Sequence, residues 1–444
     1  MERIAIVGGG LAGSLVSVFL AKRGFDVHLF EKRPDMRNNK ISAGKSINLA
    51  LSERGINALK KVGIDQKVLA TGIPMTGRMM HNVSGELAYQ PYGKDNQAIY
   101  SVSRGLLNIK LLELADELPN IQLYFNSNCV DANLQDGIVY FEDPDGNHTE
   151  FKADRVIGSD GAFSAIRYEM QTKGRFDYSQ TYLHHGYKEL CVLPNDNGEF
   201  KLDKNCLHIW PRESFMLIAL PNLDGTFTCT LFFQLDGPLS FNSIKSTEDL
   251  DSFFDTYFPD VKPLIHNLHD DFFNNPTGQL CTVRCFPWTN GKMALIGDAA
   301  HAVVPFYGQG MNCSFEDCVV FDELLEKHYP DWNQIFSDYQ TIRKPNADAI
   351  ANLALQNFIE MRDRVGDKNF LHYKHVEHDL CSLYPEIFKS QYELVTFSNV
   401  PYKYALEQGE RNTALVNKII SLGLENKLSD RTLLNPLFET FLKS

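Results

Sequence analysis

No stretch of about 18 consecutive apolar residues occurs in this sequence, so nothing in it has the length of a membrane-crossing helix. A C-x-x-C pair is also missing. The nine cysteines are scattered, and the closest pairs, Cys281/Cys285 and Cys313/Cys318, lack the partner set of a zinc finger. Free thiols are therefore expected, and no metal site. Positive charge is scarce: 43 Lys and Arg face 56 Asp and Glu, a net charge of −13, with no basic cluster. That balance excludes a nucleic-acid surface and offers no attraction to an anionic membrane. There are no repeats and no low-complexity linker. The opening residues MERIAIV run straight into an apolar strand, so no signal peptide is expected and the setting is cytoplasmic and soluble. What is present is an ordinary globular composition, 43% hydrophobic and 22% charged. At 444 residues the chain exceeds one simple core, and two or three domains are expected.

The richest stretch is Arg3–Glu31. Arg3 to Val7 is apolar enough for a buried parallel strand, and Gly8-Gly9-Gly10-Leu11-Ala12-Gly13 forms a G-x-G-x-x-G turn. A helix from Leu11 to about Arg23 stops at Gly24, and a second strand, Val27 to Phe30, ends at Glu31. Gly8 permits the tight turn, Gly10 lets backbone approach a pyrophosphate, and Gly13 lets helix and strand pack closely. The helix N-terminus offers free N–H groups to phosphates, and Glu31 stands where a carboxylate binds ribose hydroxyls. Together these predict a dinucleotide site.

Further along, Lys32 to Lys45 is a polar loop, and Ser52 caps a helix to Val62. Arg78–Val83 and Glu86–Tyr92 predict two strands around a Ser84-Gly85 turn, with Arg78, Met80 and Asn82 on one face. Such an arginine is either a solvated surface residue or an anion ligand. Ser103 caps a helix whose Leu107, Leu111, Leu114 and Leu118 form one stripe. Arg104 in its first turn opposes the helix dipole unless an anion compensates it; simple solvation is the alternative. Gln122–Lys152 holds several short strands, and Arg155–Arg167 repeats the strand, turn and helix pattern. From Asp177 to Phe233, alternating patterns between Pro and Asp-Gly turns predict an antiparallel sheet.

A third block, GKMALIGDAAHAVVPFYGQGMN, predicts a buried strand Met293–Ile296 that ends in Gly297-Asp298. A Pro305–Gly310 loop follows, then a helix from Met311 to Lys327. Asp298 either caps that turn or accepts from a hydroxylated chain, and the positive helix end suits an anionic ring edge. The chain is helical from Tyr329 onward. Ile350, Leu353, Ala354, Asn357 and Met361 share a face, which puts the polar Asn357 on a core stripe with Glu360 one turn on. Those two either pair with each other or face a ligand. Tyr402 follows Pro401 in a tyrosine-rich segment. No His–Asp pair or carboxylate dyad is evident, and His301 is expected to be structural.

GGGLAG with Glu31, SDGAFSAIR and GDAAHAVVPFYGQGMN together resemble the three motifs of the aromatic-ring flavin monooxygenases that have a p-hydroxybenzoate-hydroxylase-like fold. SINLALSERG, GIPMTGRMMH, QPYG, FDYSQTYLHHGYKEL, LHIWPR, FTCTLFF, NFIEMR and VTFS are similar to the kynurenine-hydroxylating members of that family.

The resemblance implies an α/β fold. A Rossmann-like FAD-binding domain (1–72, 98–175 and 280–328) would be interleaved with an antiparallel-sheet substrate domain (73–97 and 176–279), followed by a helical C-terminal region (329–444). Non-covalent FAD would be held by Gly8, Gly10, Leu11, Ala12, Gly13, Glu31, Lys32, Arg104, Asp160, Asp298, Gly308, Gly310, Met311 and Asn312. NADPH would reduce it transiently, and O2 would be the co-substrate. L-Kynurenine would be bound by Arg78, Tyr92, Asn357, Glu360 and Tyr402 and hydroxylated to 3-hydroxy-L-kynurenine through a flavin C4a-hydroperoxide. No side chain would act as a catalytic group. Pro305, Phe306, Tyr307, Gly308 and Gln309 would position the reactants. An FAD-dependent hydroxylase or epoxidase of another aromatic or apolar substrate and a non-catalytic redox flavoprotein are the rival expectations. Nothing in the sequence decides between a monomer and a homodimer.

Overall fold

The computed structural model describes residues 1–38, 48–93, 97–361 and 368–442. The polar loop expected over 32–45 lies partly outside the described residues. Arg3–Val7 is the central strand of a six-stranded sheet. Asp26–Phe30 and Arg155–Gly158 flank it in parallel, Ile121–Tyr124 and Met293–Leu295 extend the sheet on either side, and Thr289–Asn290 closes one edge antiparallel. Every residue of Ile4–Val7 is buried, as a strand covered on both faces requires. Helix Leu11–Lys22 has an unbroken buried run from Gly13 to Ala21, because it is enclosed between this sheet and neighbouring helices.

The expected antiparallel sheet is present and has seven strands, in the order Gly278–Phe286, Asp177–Val192, Phe227–Gln234, Phe215–Pro221, Cys206–Arg212, Gly77–His81 and Leu87–Pro91. Only the contact of Cys206–Arg212 with Gly77–His81 is parallel, so an early hairpin has joined a sheet built from later sequence. The two-residue alternation of a strand sorts its side chains. Phe215, Leu217, Phe227, Leu231 and Phe233 enter a phenylalanine-rich core covered by helix Thr247–Tyr257. Met216, Ile218, Leu220 and Phe232 point the other way, towards the third-motif loop and the C-terminal helices. Leu207 pairs with Arg78 in register, so Arg78 shares that second face.

A small sheet of Asn48–Leu51, Ile99–Ser103 and Ile73–Met75 lies between these layers. Sequence patterning gave Ile73–Met75 no strand, because three residues are too few to show a period. The C-terminal region is helical as expected, with Trp332–Ile359, Lys368–Leu383, Gln391–Thr396, Tyr402–Ser421 and Arg431–Phe441. Among the described residues, no helix is long and apolar enough to cross a membrane.

Candidate active site

Backbone geometry builds the dinucleotide end. Gly8 has φ +105°, and a Cβ there would meet the Ser159 carbonyl oxygen at 2.6 Å. At Gly13 a Cβ would stand 1.9 Å from the Gly8 oxygen, so only glycine lets this helix approach the strand. Gly10 faces open space and caps the helix without a side chain, leaving the N–H groups at Leu11 and Ala12 free for an anion. Glu31 is buried and accepts from the Gly9 N–H at 2.8 Å and from Arg33 Nε at 2.7 Å. Burial favours the neutral acid, but the hydrogen bonds from Arg33 and Gly9 outweigh it and hold the carboxyl below its usual range. Gly9, Glu31, Arg33, Met36, Asn108 and Phe125 line a cavity of about 220 Å³. Lys32 is exposed, and its neighbour Arg33 supplies the basic group at the cavity.

Asp160 follows the strand Arg155–Gly158. Its Oδ2 accepts from the Ala165 N–H at 2.7 Å, while its buried Oδ1 has no partner. Burial raises this carboxyl, and its hydrogen bonds act against that rise. Asp298 stands at the C-terminal end of Met293–Leu295 and is open to the cleft. The surrounding protein raises its carboxyl, an effect that His301 and Arg104 partly offset. Arg104 is exposed and also acts electrostatically on Tyr187 and Glu189, so it faces the cleft. Gly308 adopts φ +67° after the Pro305–Tyr307 turn, and helix Gly310–His328 begins with no side-chain cap. Asn312 locks this loop: its amide donates to the Ala50 and Gly308 carbonyls, both at 2.9 Å, and accepts from the Ser52 N–H at 3.0 Å. Met311 packs on the core beside it.

These features fit a flavin dinucleotide: a cradle that any Cβ would fill, an orphaned acidic oxygen on Asp160, and an uncapped helix end beside Asp298. Beneath the loop the sequence showed no His–Asp pair, yet the fold makes one. Buried His301 donates to Asp317 at 2.6 Å, and Asp317 also accepts from Arg343 at 2.7 Å and the Gly297 N–H at 3.1 Å. Burial opposes charge on both partners, but their attraction wins, raising His301 and lowering Asp317. The pair is 16 residues apart, across a loop and the first turns of helix Gly310–His328, so no short motif could announce it. His301, Cys313 and Asp317 place ligand atoms within 4.8 Å of one another. The Arg343 cation already occupies that carboxylate, which disfavours a metal there.

The opposite end of the cleft is assembled from side chains. The Arg78 guanidinium lies 4.8 Å from the Tyr392 ring and 5.5 Å from the Tyr92 ring, and Tyr92 stacks on Tyr392 at 5.3 Å. Tyr307, from the flavin-side loop, stacks on Tyr392 at 5.8 Å. Among the described residues, Arg78 Nε and the Tyr92 hydroxyl are buried without a hydrogen-bond partner. Burial pushes the Tyr92 and Tyr307 hydroxyls well above the usual phenol range, so both remain protonated donors. One cationic and one neutral donor without acceptors in an aromatic cage describe a carboxylate receptor. The adjoining wall is apolar: Phe306 stacks on Phe358 at 4.3 Å and contacts Phe232 at 5.0 Å.

Of the other expected substrate residues, Asn357 donates to the Phe306 carbonyl at 2.6 Å and so shapes the loop. Glu360 acts electrostatically on Tyr307, which puts it near the cage rim. Tyr402 is elsewhere. It is fully buried, its hydroxyl donates to Gln309 at 2.8 Å, and its ring carries the Arg54 guanidinium at 3.8 Å. Tyr392, which the sequence reading did not name, is the tyrosine that stands beside Arg78 and Tyr92. Both tyrosines lie in segments without periodicity, and only the tertiary fold tells them apart. Pro305 begins the turn and Gln309 joins it to Ser52 at 3.3 Å.

The FAD binding domain family matches residues 2–354 of the chain. A kynurenine 3-monooxygenase of Christiangramia forsetii is 45% identical over 96% of this chain and 95% of its own length. The kynurenine 3-monooxygenase of Dictyostelium discoideum is 48% identical, over 94% of this chain and 93% of its own. Among solved structures, p-nitrophenol 4-monooxygenase from Pseudomonas putida DLL-E4 superimposes with a TM-score of 0.67 at 17% identity, covering 87% of this chain and 96% of that one. That last likeness speaks to the fold alone.

Proposed function

Because the chain belongs to the kynurenine 3-monooxygenase family of FAD-dependent monooxygenases, we propose that it hydroxylates L-kynurenine to 3-hydroxy-L-kynurenine, using NADPH and O2. The observation that carries this reading is the buried, partnerless pair of donors, Arg78 Nε and the Tyr92 hydroxyl, at the end of an apolar slot. An amino-acid carboxylate has two anionic oxygens and satisfies both, whereas a simple phenol offers one neutral oxygen and no negative charge.

Bound FAD, reduced by NADPH, supplies the oxygen-activating chemistry. Gly8, Gly10, Leu11, Ala12 and Gly13 would hold its pyrophosphate, Glu31 its ribose, and Asp160 and Asp298 its polyol chain, with Arg104 alongside. Gly308, Gly310, Met311 and Asn312 would set the backbone against its ring. The substrate's carboxylate goes to Arg78, Tyr92 and Tyr392, which fixes the distance from that end to the reacting carbon. The wall of Phe232, Phe306 and Phe358 excludes water and holds the ring flat against the loop. Kynurenine's own aromatic amine activates the neighbouring carbon, so no strongly basic side chain is required there. Asn357 and Glu360 act through the Phe306–Tyr307 turn. On this reading residues 1–72, 98–175 and 280–328 serve the cofactor, and 73–97 and 176–279 the substrate. Nine free cysteines suit a reducing, cytoplasmic setting.

The test is NADPH consumption by the FAD-loaded protein with L-kynurenine, its decarboxylated analogue or phenol. L-Kynurenine alone should stimulate it strongly. Equal stimulation by the decarboxylated analogue would refute the carboxylate receptor.

A further inference from the structure

Arg54 belongs to the SINLALSERG stretch but has been given no role so far, and its side chain has no exposed surface. Its donors go in three directions. Nε donates to the Val395 carbonyl at 3.3 Å, one terminal nitrogen donates to Glu316, and the other donates to the Val400 carbonyl. Its flat face covers Tyr402 at 3.8 Å. Val395 lies in the last turn of Gln391–Thr396, where helix carbonyls lack internal partners, so the guanidinium completes that end. The same short helix carries Tyr392 into the carboxylate cage.

The flavin side is attached to the same arginine twice. Tyr402 donates to Gln309 at 2.8 Å, within the loop that follows Tyr307. Glu316 passes the contact to Arg343, which donates to Asp317 at 2.7 Å, and Asp317 accepts from the N–H of Gly297, the residue before Asp298. One buried cation thus touches the substrate-gripping segment directly, and it reaches the third flavin motif at Gln309 through Tyr402 and at Gly297 through Glu316, Arg343 and Asp317. Burying a charge costs several kcal/mol before its contacts are counted, and apolar packing would stabilise the fold as well (roughly 1–4 kcal/mol better in measured replacements). Geometry gives the charge a use: a planar fork fixes three groups in one plane, which neither a lysine nor an alkyl chain does.

We infer that Arg54 is the positioning residue that holds the Tyr392 segment and the Gln309/Gly297 flavin loop as one unit, so that kynurenine and FAD tighten each other's binding. This rests on the function proposed above. The coupling is reciprocal by linkage, so it is readable as an equilibrium.

The experiment measures the FAD dissociation constant of the full-length protein with and without saturating L-kynurenine, together with the flavin difference spectrum that kynurenine produces. In the wild type, kynurenine tightens FAD by about fivefold or more, at the lower end of typical coupling. In Arg54→Lys both ligands still bind but that factor falls to about one, and the difference spectrum shrinks. Should Arg54→Lys fold poorly, Tyr402→Phe removes only the hydroxyl to Gln309 and lowers the factor by itself. A purely structural Arg54 predicts a lower melting temperature with the factor unchanged in both variants, which overturns the inference. A wild type that binds kynurenine with no effect on FAD overturns it too. A wild type that does not bind kynurenine removes the function reading and this inference together.

Discussion

The two ends of the cleft are made of different material. At the dinucleotide end the chain presents backbone: glycines at 8, 10 and 13, an uncapped helix, and one acid at the tip of the next strand. At the substrate end it presents long side chains, Arg78, Tyr92, Tyr307 and Tyr392, brought from four separate segments. The first kind of site tolerates no added atom, because its shape is the main chain itself. The second tolerates trimming at a graded cost, because each member contributes its own contact. Substitutions should therefore behave differently at the two ends.

The largest effect belongs to Gly13→Ala. The new Cβ would stand 1.9 Å from the Gly8 oxygen, so helix and strand must separate. Purified protein should lack bound FAD entirely, read as flavin absorbance per protein; full flavin content would mean that the cradle is looser than described. Next is Asp317→Asn, beneath the loop. Removing one partner of a buried pair costs about 3–5 kcal/mol; His301 loses its charged partner, and Arg343 loses one of two and keeps Glu316. The pH dependence sharpens this. His301 is raised, so its contribution is complete below its ordinary 6.5 and is lost as pH climbs through the raised folded value. Asp317 is lowered, so its contribution is complete above its ordinary 3.8 and is lost as pH falls through the folded value. Melting temperature across pH should show a plateau between those limits, and Asp317→Asn should lower and flatten it. An unchanged profile would remove the pair from the stability account.

At the substrate end the steps are smaller. Arg78→Ala removes a charge-assisted hydrogen bond worth roughly 1.5–3 kcal/mol, so kynurenine should bind about ten- to more than a hundredfold more weakly with FAD content intact. A parallel loss of FAD would erase the distinction between the two ends. Tyr392→Phe keeps both the ring on Arg78 and the cation on the carboxylate and removes only one hydroxyl donor, so kynurenine affinity should fall by less than in Arg78→Ala. Titration calorimetry separates these two variants.

The same contrast decides what could be read from sequence. The dinucleotide end was legible because turn, helix start and acid are contiguous and each residue type follows from a backbone demand. The sheet at the other end was legible as a sheet through its alternation, while the strand pattern left Arg78 open between a solvated residue and an anion ligand, and only the family resemblance pointed to the second. Tyr392 was not legible, since two tyrosines near one proline-bounded segment look alike until the helices are packed. Arg33 was hidden behind Lys32, one residue away, because the chain's direction after Glu31 has no periodic signal. The His301–Asp317–Arg343–Glu316–Arg54 network was invisible for a plainer reason: its members come from three helices and a loop, and charge in a core has no pattern of its own.

Mass analysis of the product tests the central claim most directly, that both ends enclose one flavin and present an amino-substituted ring to it. FAD-loaded protein given L-kynurenine, NADPH and O2 should yield a product heavier by one oxygen, with NADPH consumed in step. Unmodified kynurenine after NADPH has been consumed at the substrate-free rate would contradict it.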